Sequence, residues 1–380
     1  MKREDFTSQA WGELSVTAAG NPAFIPRRAP RDLALVPDVI NLLDEASHRL
    51  GVLSGIGRRL PNPQLLIGPY LRREAVLSSR IEGTQTTLGD VYAAEAEQLR
   101  LVTSPDVQEV VNYVDAVQYG LERLQTLPLS LRFLGELHER LMAHGVRGHG
   151  PAGEFRTYQK FIGGTNETNA TYVPPPVNRM HDCLDDFERF MHERPLPPLV
   201  QAAVLHYQFE AIHPFGDGNG RVGRLLMTLF LIERELLPQP LLYLSAYFER
   251  ERDAYYDGLM RVSTHGDWES WLIYVLTGVR EQAADAADLA DRLLELQSRT
   301  RERLHRRRAT ANALALVDAL FLNPLMTVAR ARELLNVTHP TARATIRSLE
   351  EAGILREITG RARDMVFRAD EIFELLRAGQ

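Results

Sequence analysis

His213, Asp217, Arg221 and Arg224 fall within one short run, His213-Pro214-Phe215-Gly216-Asp217-Gly218-Asn219-Gly220-Arg221-Val222-Gly223-Arg224. Gly218-Asn219-Gly220 can turn consecutive backbone N–H groups to one side. A helix opening there would bring its positive N-terminal end to the same point. Arg221 and Arg224, spaced i, i+3, share the first turn of that helix and can reach one anion. Arginines at a helix start oppose its dipole, and a bound anion offsets that placement. Asp217 can hold a Mg²⁺ ion that bridges phosphate oxygens. His213, just outside the glycine nest, is placed for general-base work. The residue types and spacing describe a polyphosphate site with a base beside it.

Two apolar helices must position this run. Residues 198–212 carry two apolar stripes, Val200, Ala203, Val204, Tyr207 and Ala211 on one side and Ala202, Leu205, Phe209 and Ile212 on the other. A helix apolar on two sides is central and buried. Residues 221–236 are nearly all apolar after the first turn and read the same way. Gly218-x-Gly220-x-x-Gly223 fits a dinucleotide fingerprint by letters, but that fingerprint must follow a strand, and the preceding segment here is helical. No Lys follows the glycines, which excludes a P-loop. A purely structural helical turn would need neither two arginines nor an aspartate at so glycine-dense a bend.

The whole chain frames these helices. Its 380 residues carry 44 Lys+Arg and 50 Asp+Glu, a net charge of −6, with 44% hydrophobic and 25% charged residues. That is ordinary globular composition with room for two or three domains, and it disfavours disordered and collagen-like chains. Mild acidity gives no global attraction to nucleic acid or anionic membrane, so any basic site must be local. Cys183 is the single cysteine, so there is no internal disulfide, CxxC metal site or redox pair. Met1-Lys2-Arg3-Glu4-Asp5 lacks the apolar segment of a signal peptide. The longest apolar stretch, near 225–232, is too short to span a bilayer. The expectation is a cytoplasmic protein with no membrane partner.

Helical periodicity dominates, and strand-like alternation is scarce. Helices are expected over 38–53, 70–82, 106–127, 131–143 and 178–193, with a turn at Gly68-Pro69 and a stop at Gly83. Thr87 is positioned to cap a helix running toward Leu99. Residues 145–176 break the trend with Gly, Asn, Thr and Pro. Within them, 158–162 and 171–173 flank Gly163-Gly164-Thr165-Asn166, which suits a β-hairpin or flap. Residues 267–308 read as one long helix ending in a basic run.

At this point the sequence resembles the Fic family. His213 to Arg224 matches every fixed position of the signature HxFx(D/E)GNGRxxR. Gly145-Val146-Arg147-Gly148, with Pro151, Gly153 and Arg156, then Ile162-Gly163-Gly164 and Tyr172-Val173-Pro174-Pro175, look like the family's approach to its target-binding flap. The resemblance runs from about residue 30 to about residue 280. It implies an all-α Fic domain with a small β-hairpin flap, and protein AMPylation: transfer of AMP from ATP to a Ser, Thr or Tyr hydroxyl of a protein, the chain itself included. It also implies the roles. His213 would deprotonate the target hydroxyl. Asp217 would bind Mg²⁺. Gly218, Asn219, Gly220, Arg221, Val222, Gly223 and Arg224 would form the ATP phosphate site, and Phe215 would anchor the core. Tyr255 and Tyr256 would contact adenine. The flap residues Phe161, Ile162, Gly163, Gly164 and Tyr172 would hold the target chain by strand addition. A homodimer is a further family expectation.

Ser78-x-x-x-Glu82-Gly83 resembles the family's inhibitory motif, (S/T)xxxE(G/N). Glu82 at a helix end can pair with Arg224, occupying the group needed for the ATP γ-phosphate. Alternatives stay open. An inhibited Fic protein can also remove AMP, with Glu82 acting on a water. A phosphorylating, Doc-like branch departs at the glycines that are complete here. A nucleotide-sensing regulator that binds DNA is the third.

The DNA reading comes from the C-terminus. Expected helices at 309–320, 328–335 and 340–352, then strands at 354–359 and 365–368 around Gly360-Arg361-Ala362-Arg363, resemble a winged helix-turn-helix. Thr341, Arg343 and Arg347 would lie on the recognition face, with Arg361 and Arg363 in the wing. The expected division is 1–105 for an N-terminal helical region with the inhibitory helix, 106–285 for the Fic domain, 286–308 for a helical connector and 309–380 for the winged helix. Other histidines are not promoted. His138 and His144 are spaced i, i+6 rather than the i, i+4 of a zinc protease. His206 is expected to be a hydrogen-bonded core residue, and His181 with Cys183 forms no ligand set.

Overall fold

The computed structural model describes residues 1–59, 63–96, 104–143, 150–361 and 364–377. Leu99, Gly145-Val146-Arg147-Gly148 and Arg363, all used in the sequence reading, lie outside those residues. The order is an N-terminal hairpin, β1 (Gly12–Val16) and β2 (Pro22–Pro26), then α1 (Pro37–Arg59), α2 (Gln64–Ile81), α3 (Leu88–Ala96), α4 (Pro105–Arg123), α5 (Leu131–Leu141) and α6 (Val177–His192). There follow α7 (Pro198–Ile212), α8 (Asn219–Glu233), α9 (Ser245–Arg250), α10 (Arg252–His265) and α11 (Trp268–Arg306). The C-terminal module is α12 (Ala311–Leu322), β3 (Leu325–Thr327), α13 (Val328–Leu335), α14 (His339–Glu351), β4 (Arg356–Glu357), β5 (Val366–Arg368) and α15 (Asp370–Arg377). Among the described residues no helix is long and apolar enough to cross a membrane.

The two-sided apolar pattern of α7 and the apolar run of α8 put this pair at the centre. From Leu199 to Ile212 every residue of α7 is buried except Glu210, and α8 is buried from Asn219 to Leu231. α4 and α5 pack against α8, and α6 against α7. Local capping starts several helices where the sequence marks them. Thr87 and Asp90 form a reciprocal box, Thr87 Oγ1 accepting from the Asp90 N–H (3.2 Å) and Asp90 Oδ2 from the Thr87 N–H (3.0 Å). Ser104 and Ser130 cap α4 and α5 by accepting from Val107 and Phe133.

Three expectations are corrected. Gly68-Pro69 is not a turn: α2 runs through it. Pro69 lies inside that helix, where it forgoes one backbone bond and crowds the preceding turn, a cost opposed by the burial of Ile67, Tyr70 and Leu71. The chain before α1 is not helical. β1 and β2 pair antiparallel with Gly12 opposite Pro26, and a β-carbon on Gly12 would collide with Ile25 and Phe24. The flap contains one bridge, Ile162 to Tyr172, rather than two regular strands. Its outer segment is braced by the hairpin instead: the Phe24 N–H donates to the Val173 carbonyl (2.9 Å), and Thr17 and Asn21 donate to Glu167. The long helix expected over 267–308 forms as α11. α11 continues without a break and packs along α1, burying Leu289, Leu293, Leu296 and Leu304.

In the C-terminal module the sheet order is β3-β5-β4, all antiparallel, behind α12 to α14. α12 packs against α2, and β3 against α3. Asn323 Nδ2 reaches the Tyr92 carbonyl and Glu95, and Arg330 the Glu95 carbonyl.

Candidate active site

α7 ends at His213 in the left-handed region, with φ 49°. A non-glycine residue holds that conformation only when its surroundings over-determine it. Arg156 supplies the constraint. Its guanidinium is buried and donates from Nε to the His213 carbonyl (2.9 Å) and from Nη2 to the carbonyls of Pro175 (2.7 Å) and Ile212 (3.4 Å). Burial lowers the Arg156 pKa to about 10, so it stays charged at neutral pH. Burial, together with the positive charges of Arg156 and Lys160, lowers the His213 pKa to about 3. The imidazole is therefore neutral and able to accept a proton. Its Nδ1 has no hydrogen-bond partner among the described residues.

The turn after His213 is held by its own side chains. Asn219 Oδ1 accepts from the Phe215 N–H and its Nδ2 donates to the Phe215 carbonyl, both at 2.9 Å. The Asn219 side chain thus shapes the loop, leaving only its backbone to face a ligand. Phe215 is fully buried, as expected of an anchor, and stacks on His138 at 3.9 Å between centroids. His138 Nδ1 accepts from the Gly153 N–H (2.8 Å), so the proton sits on Nε2, which donates to the Asp217 carbonyl (3.0 Å). Gly218, with φ 72°, opens α8 without a side-chain cap, leaving the first N–H groups of that helix to a ligand.

A carboxylate approaches the start of α8 at Gly220. Glu82 stands just past α2, and its Oε1 accepts from Arg224 Nη2 at 2.8 Å. Arg224 also donates from Nε to Ser78 Oγ and from Nη2 to the Ser78 carbonyl, each at 2.8 Å. A β-carbon on Gly220 would collide with Glu82 Oε1 and stand 2.9 Å from Arg224 Nη1, so only glycine admits this approach. Burial alone would lower the Arg224 pKa, but Glu82, Tyr255 and Glu210 outweigh it and the pKa is raised. The expected pair of Glu82 and Arg224 is thus brought together, with Ser78 as a further acceptor.

Arg221 behaves otherwise. Its side chain leaves the first turn of α8 in the opposite sense, donating from Nη1 to Glu109 Oε2 (3.2 Å) and from Nη2 to Met142 Sδ (3.8 Å). Glu109 Oε2 also accepts from Thr84 Oγ1 (3.0 Å). The two arginines therefore do not converge on one point: Arg221 fastens α8 to α4, and Arg224 alone faces the site.

A cavity of about 300 Å³ opens above these groups. Glu82, Gly220, Arg224, Glu210 and His213 form its polar end. Tyr255, Tyr256, Leu259, Met260 and the flap residue Ile162 form its apolar end, with Gly163 and Tyr172 also on its wall. Tyr255 is buried and its hydroxyl is engaged with His206 Nε2 at 2.8 Å, so it offers only its ring, while Tyr256 is 40% exposed. Phe161 and Gly164 are not on the wall. Phe161 packs toward Ala23, Ala170 and Val173, and Gly164 (φ 75°) turns the flap tip against Asn169. Val222 is core, and Gly223 abuts Glu210 and Phe209.

Asp217 is half-buried outside the cavity wall. Its Oδ1 accepts from the Gly218 N–H (2.7 Å), and no cationic side chain pairs with it among the described residues. No cluster of three or more acidic, His or Cys ligands occurs among the described residues. That donor set suits Mg²⁺, which binds through one or two carboxylates plus substrate phosphates rather than a protein cage.

Sequence reasoning passed over Arg156 as a positioning group, His138, Glu109 and Glu210. Glu210 alone left a local signal, as the single acid in a largely apolar helix, three residues before His213. In the C-terminal module, Arg347 and Arg361 are exposed, whereas Arg343 turns back toward Met365 Sδ (3.6 Å).

The chain carries two regions that match the Fic/DOC family. Residues 128–231 match the Fic/DOC family, and residues 40–122 match the Fic/DOC family N-terminal region. The chain is 31% identical over 201 residues to a protein adenylyltransferase Fic of Drosophila virilis, covering 51% of this chain and 38% of that protein. It is 29% identical over the same length to the protein of that name in Drosophila yakuba, covering 37% of it. The chain thus spans less than two fifths of those curated relatives. A Fic family protein from Desulfovibrio desulfuricans shares the fold with a TM-score of 0.57 and 21% identity, over 89% of this chain and 97% of that one.

Proposed function

We propose that the protein is a protein adenylyltransferase restrained by Glu82, transferring AMP from ATP to a hydroxyl of a protein. The observation that carries the reading is the cavity on whose wall His213, Gly220 and Arg224 meet the rings of Tyr255 and Tyr256. A polar end with open helix N–H groups suits a polyphosphate, and an apolar aromatic end suits a purine.

In this reading ATP lies with its base between Tyr256 and Ile162 and its phosphates toward Gly220 and Arg224. A Ser, Thr or Tyr hydroxyl oxygen attacks the α-phosphorus, its proton passes to the neutral imidazole of His213, and the bond to pyrophosphate breaks. Negative phosphates beside His213 would raise its depressed pKa toward the working range of a base. Arg156 fixes the angle from which the imidazole works. Mg²⁺ held by Asp217 would neutralise phosphate charge. Glu82 occupies Arg224 and the N-terminus of α8, so productive seating of the terminal phosphate requires it to withdraw.

The test is intact-mass spectrometry of the protein, alone and with candidate targets, after incubation with Mg·ATP. Wild type, Glu82→Gly and His213→Ala are compared. Added AMP in Glu82→Gly and none in His213→Ala supports the reading. Added phosphate supports a kinase, and loss of AMP from a modified target supports removal chemistry.

A second reading, a nucleic-acid contact through the C-terminal module, is favoured by the exposure of Arg347 on α14 and of Arg361 beyond β4. Duplex DNA binding that weakens steeply with salt supports it.

A further inference from the structure

Glu210 is the one acid of α7 and the one position between Leu199 and Ile212 that is not buried against protein. It faces the cavity instead. Its Oε1 is shielded from solvent and has no hydrogen-bond partner among the described residues. It is held in place from behind: a β-carbon on Gly223 would stand 2.6 Å from that oxygen and 3.1 Å from the ring of Phe209. An acceptor so placed, with nothing donating to it, is costly as an anion.

The surrounding groups decide its charge. From α8 comes Arg224, already paired with Glu82 from the end of α2. From α10 come the phenols Tyr255 and Tyr256, and from α7 itself the neutral imidazoles of His206 and His213. One guanidinium thus faces two carboxyl groups. Burial raises the Glu210 pKa to about 8; Arg224 opposes this and Glu82 adds to it. A triphosphate in place of Glu82 would bring more negative charge to the same spot.

We infer that Glu210 binds the nucleotide as a neutral acid, its carboxyl O–H donating a hydrogen bond to a phosphate oxygen, so that affinity falls as this carboxyl ionises. The inference rests on the adenylyl-transfer reading above. A neutral carboxylic acid is the only form of this side chain that can donate, and only a donor complements a phosphate there. His213, Gly220 and Arg224 lie on the same cavity wall.

The experiment is calorimetric titration of Mg·ATP into the full chain carrying Glu82→Gly and His213→Ala, from pH 7 to pH 9. This background neither turns over nor carries the His213 imidazole, and the phosphates of Mg·ATP are already ionised in this range. With Glu210 present, Kd should rise severalfold across the range as the carboxyl ionises. Glu210→Gln keeps an N–H donor, and its Kd should be flat and near the pH 7 value. Glu210→Ala should bind more weakly and also be flat. Adenosine, lacking phosphates, should show no dependence on pH. A profile with the same slope in Glu210→Gln, or the same slope for adenosine, overturns the inference while leaving the adenylyl-transfer reading standing. Absence of Mg·ATP binding at pH 7 overturns both.

Discussion

Arg156 donates from Nε to the carbonyl of His213, 57 residues away in sequence, and this bond holds the histidine in a left-handed turn. The guanidinium spends its remaining donors on other backbone carbonyls, so it works as a bracket for the end of α7. Arg156→Lys keeps the charge but loses the planar fork. In the Glu82→Gly background the rate of AMP transfer should fall on the order of 10²-fold, the scale of a displaced catalytic group. ATP affinity should change little. A Lys variant with an undiminished rate would remove Arg156 from this role.

Glu82 and Arg224 form a charged hydrogen bond of the strong class, at 2.8 Å. Hydrogen bonds to charged groups contribute about 1.5–3 kcal/mol. Glu82→Gly should therefore raise AMP incorporation about 10- to 150-fold. Equal incorporation by the variant and the wild type, measured with labelled ATP, would reject the restraint.

Arg221 and Glu109 are both buried and pair at 3.2 Å. Removing one partner of such a pair leaves an uncompensated charge, at a cost of about 3–5 kcal/mol. Glu109→Ala should lower the urea midpoint markedly. Thr84→Ala, which takes away only a neutral donor to the same oxygen, should lower the stability by only about 1 kcal/mol. If the two variants unfold alike, the pair does not hold α8 to α4 as described.

Acid should destabilise the protein through its buried imidazoles. Burial lowers His138 from 6.5 to about 4, and burial with Arg224 lowers His206 to about 3. The unfolded chain binds these protons first, so stability is full above about pH 6.5 and is lost as the pH falls below it. Each imidazole contributes up to about 1.4 kcal/mol per pH unit in that window. His206→Gln should show a smaller loss between pH 7 and pH 5 in denaturant titrations. An unchanged slope would mean that His206 is already protonated in the fold.

The local grammar of this protein is written within a few residues at a time. The Thr87–Asp90 cap, the central burial of α7 and α8, and the glycine cradle at 218–220 follow from side chains adjacent in sequence. The candidate brake was readable only through the resemblance of Ser78-x-x-x-Glu82-Gly83 to the family's inhibitory motif. Geometry that joins distant segments was not. Nothing near Arg221 marks Glu109 as its partner, and nothing near Gly12–Pro26 announces that this hairpin braces the flap at Val173. Gly68-Pro69 looks like a turn in isolation, yet burial of its neighbours keeps α2 continuous. Short-range propensity and capping depend on neighbours along the chain. Which arginine turns toward the cavity, and which carboxylate meets it, depends on how helices far apart in sequence pack, and packing is decided only when the core closes.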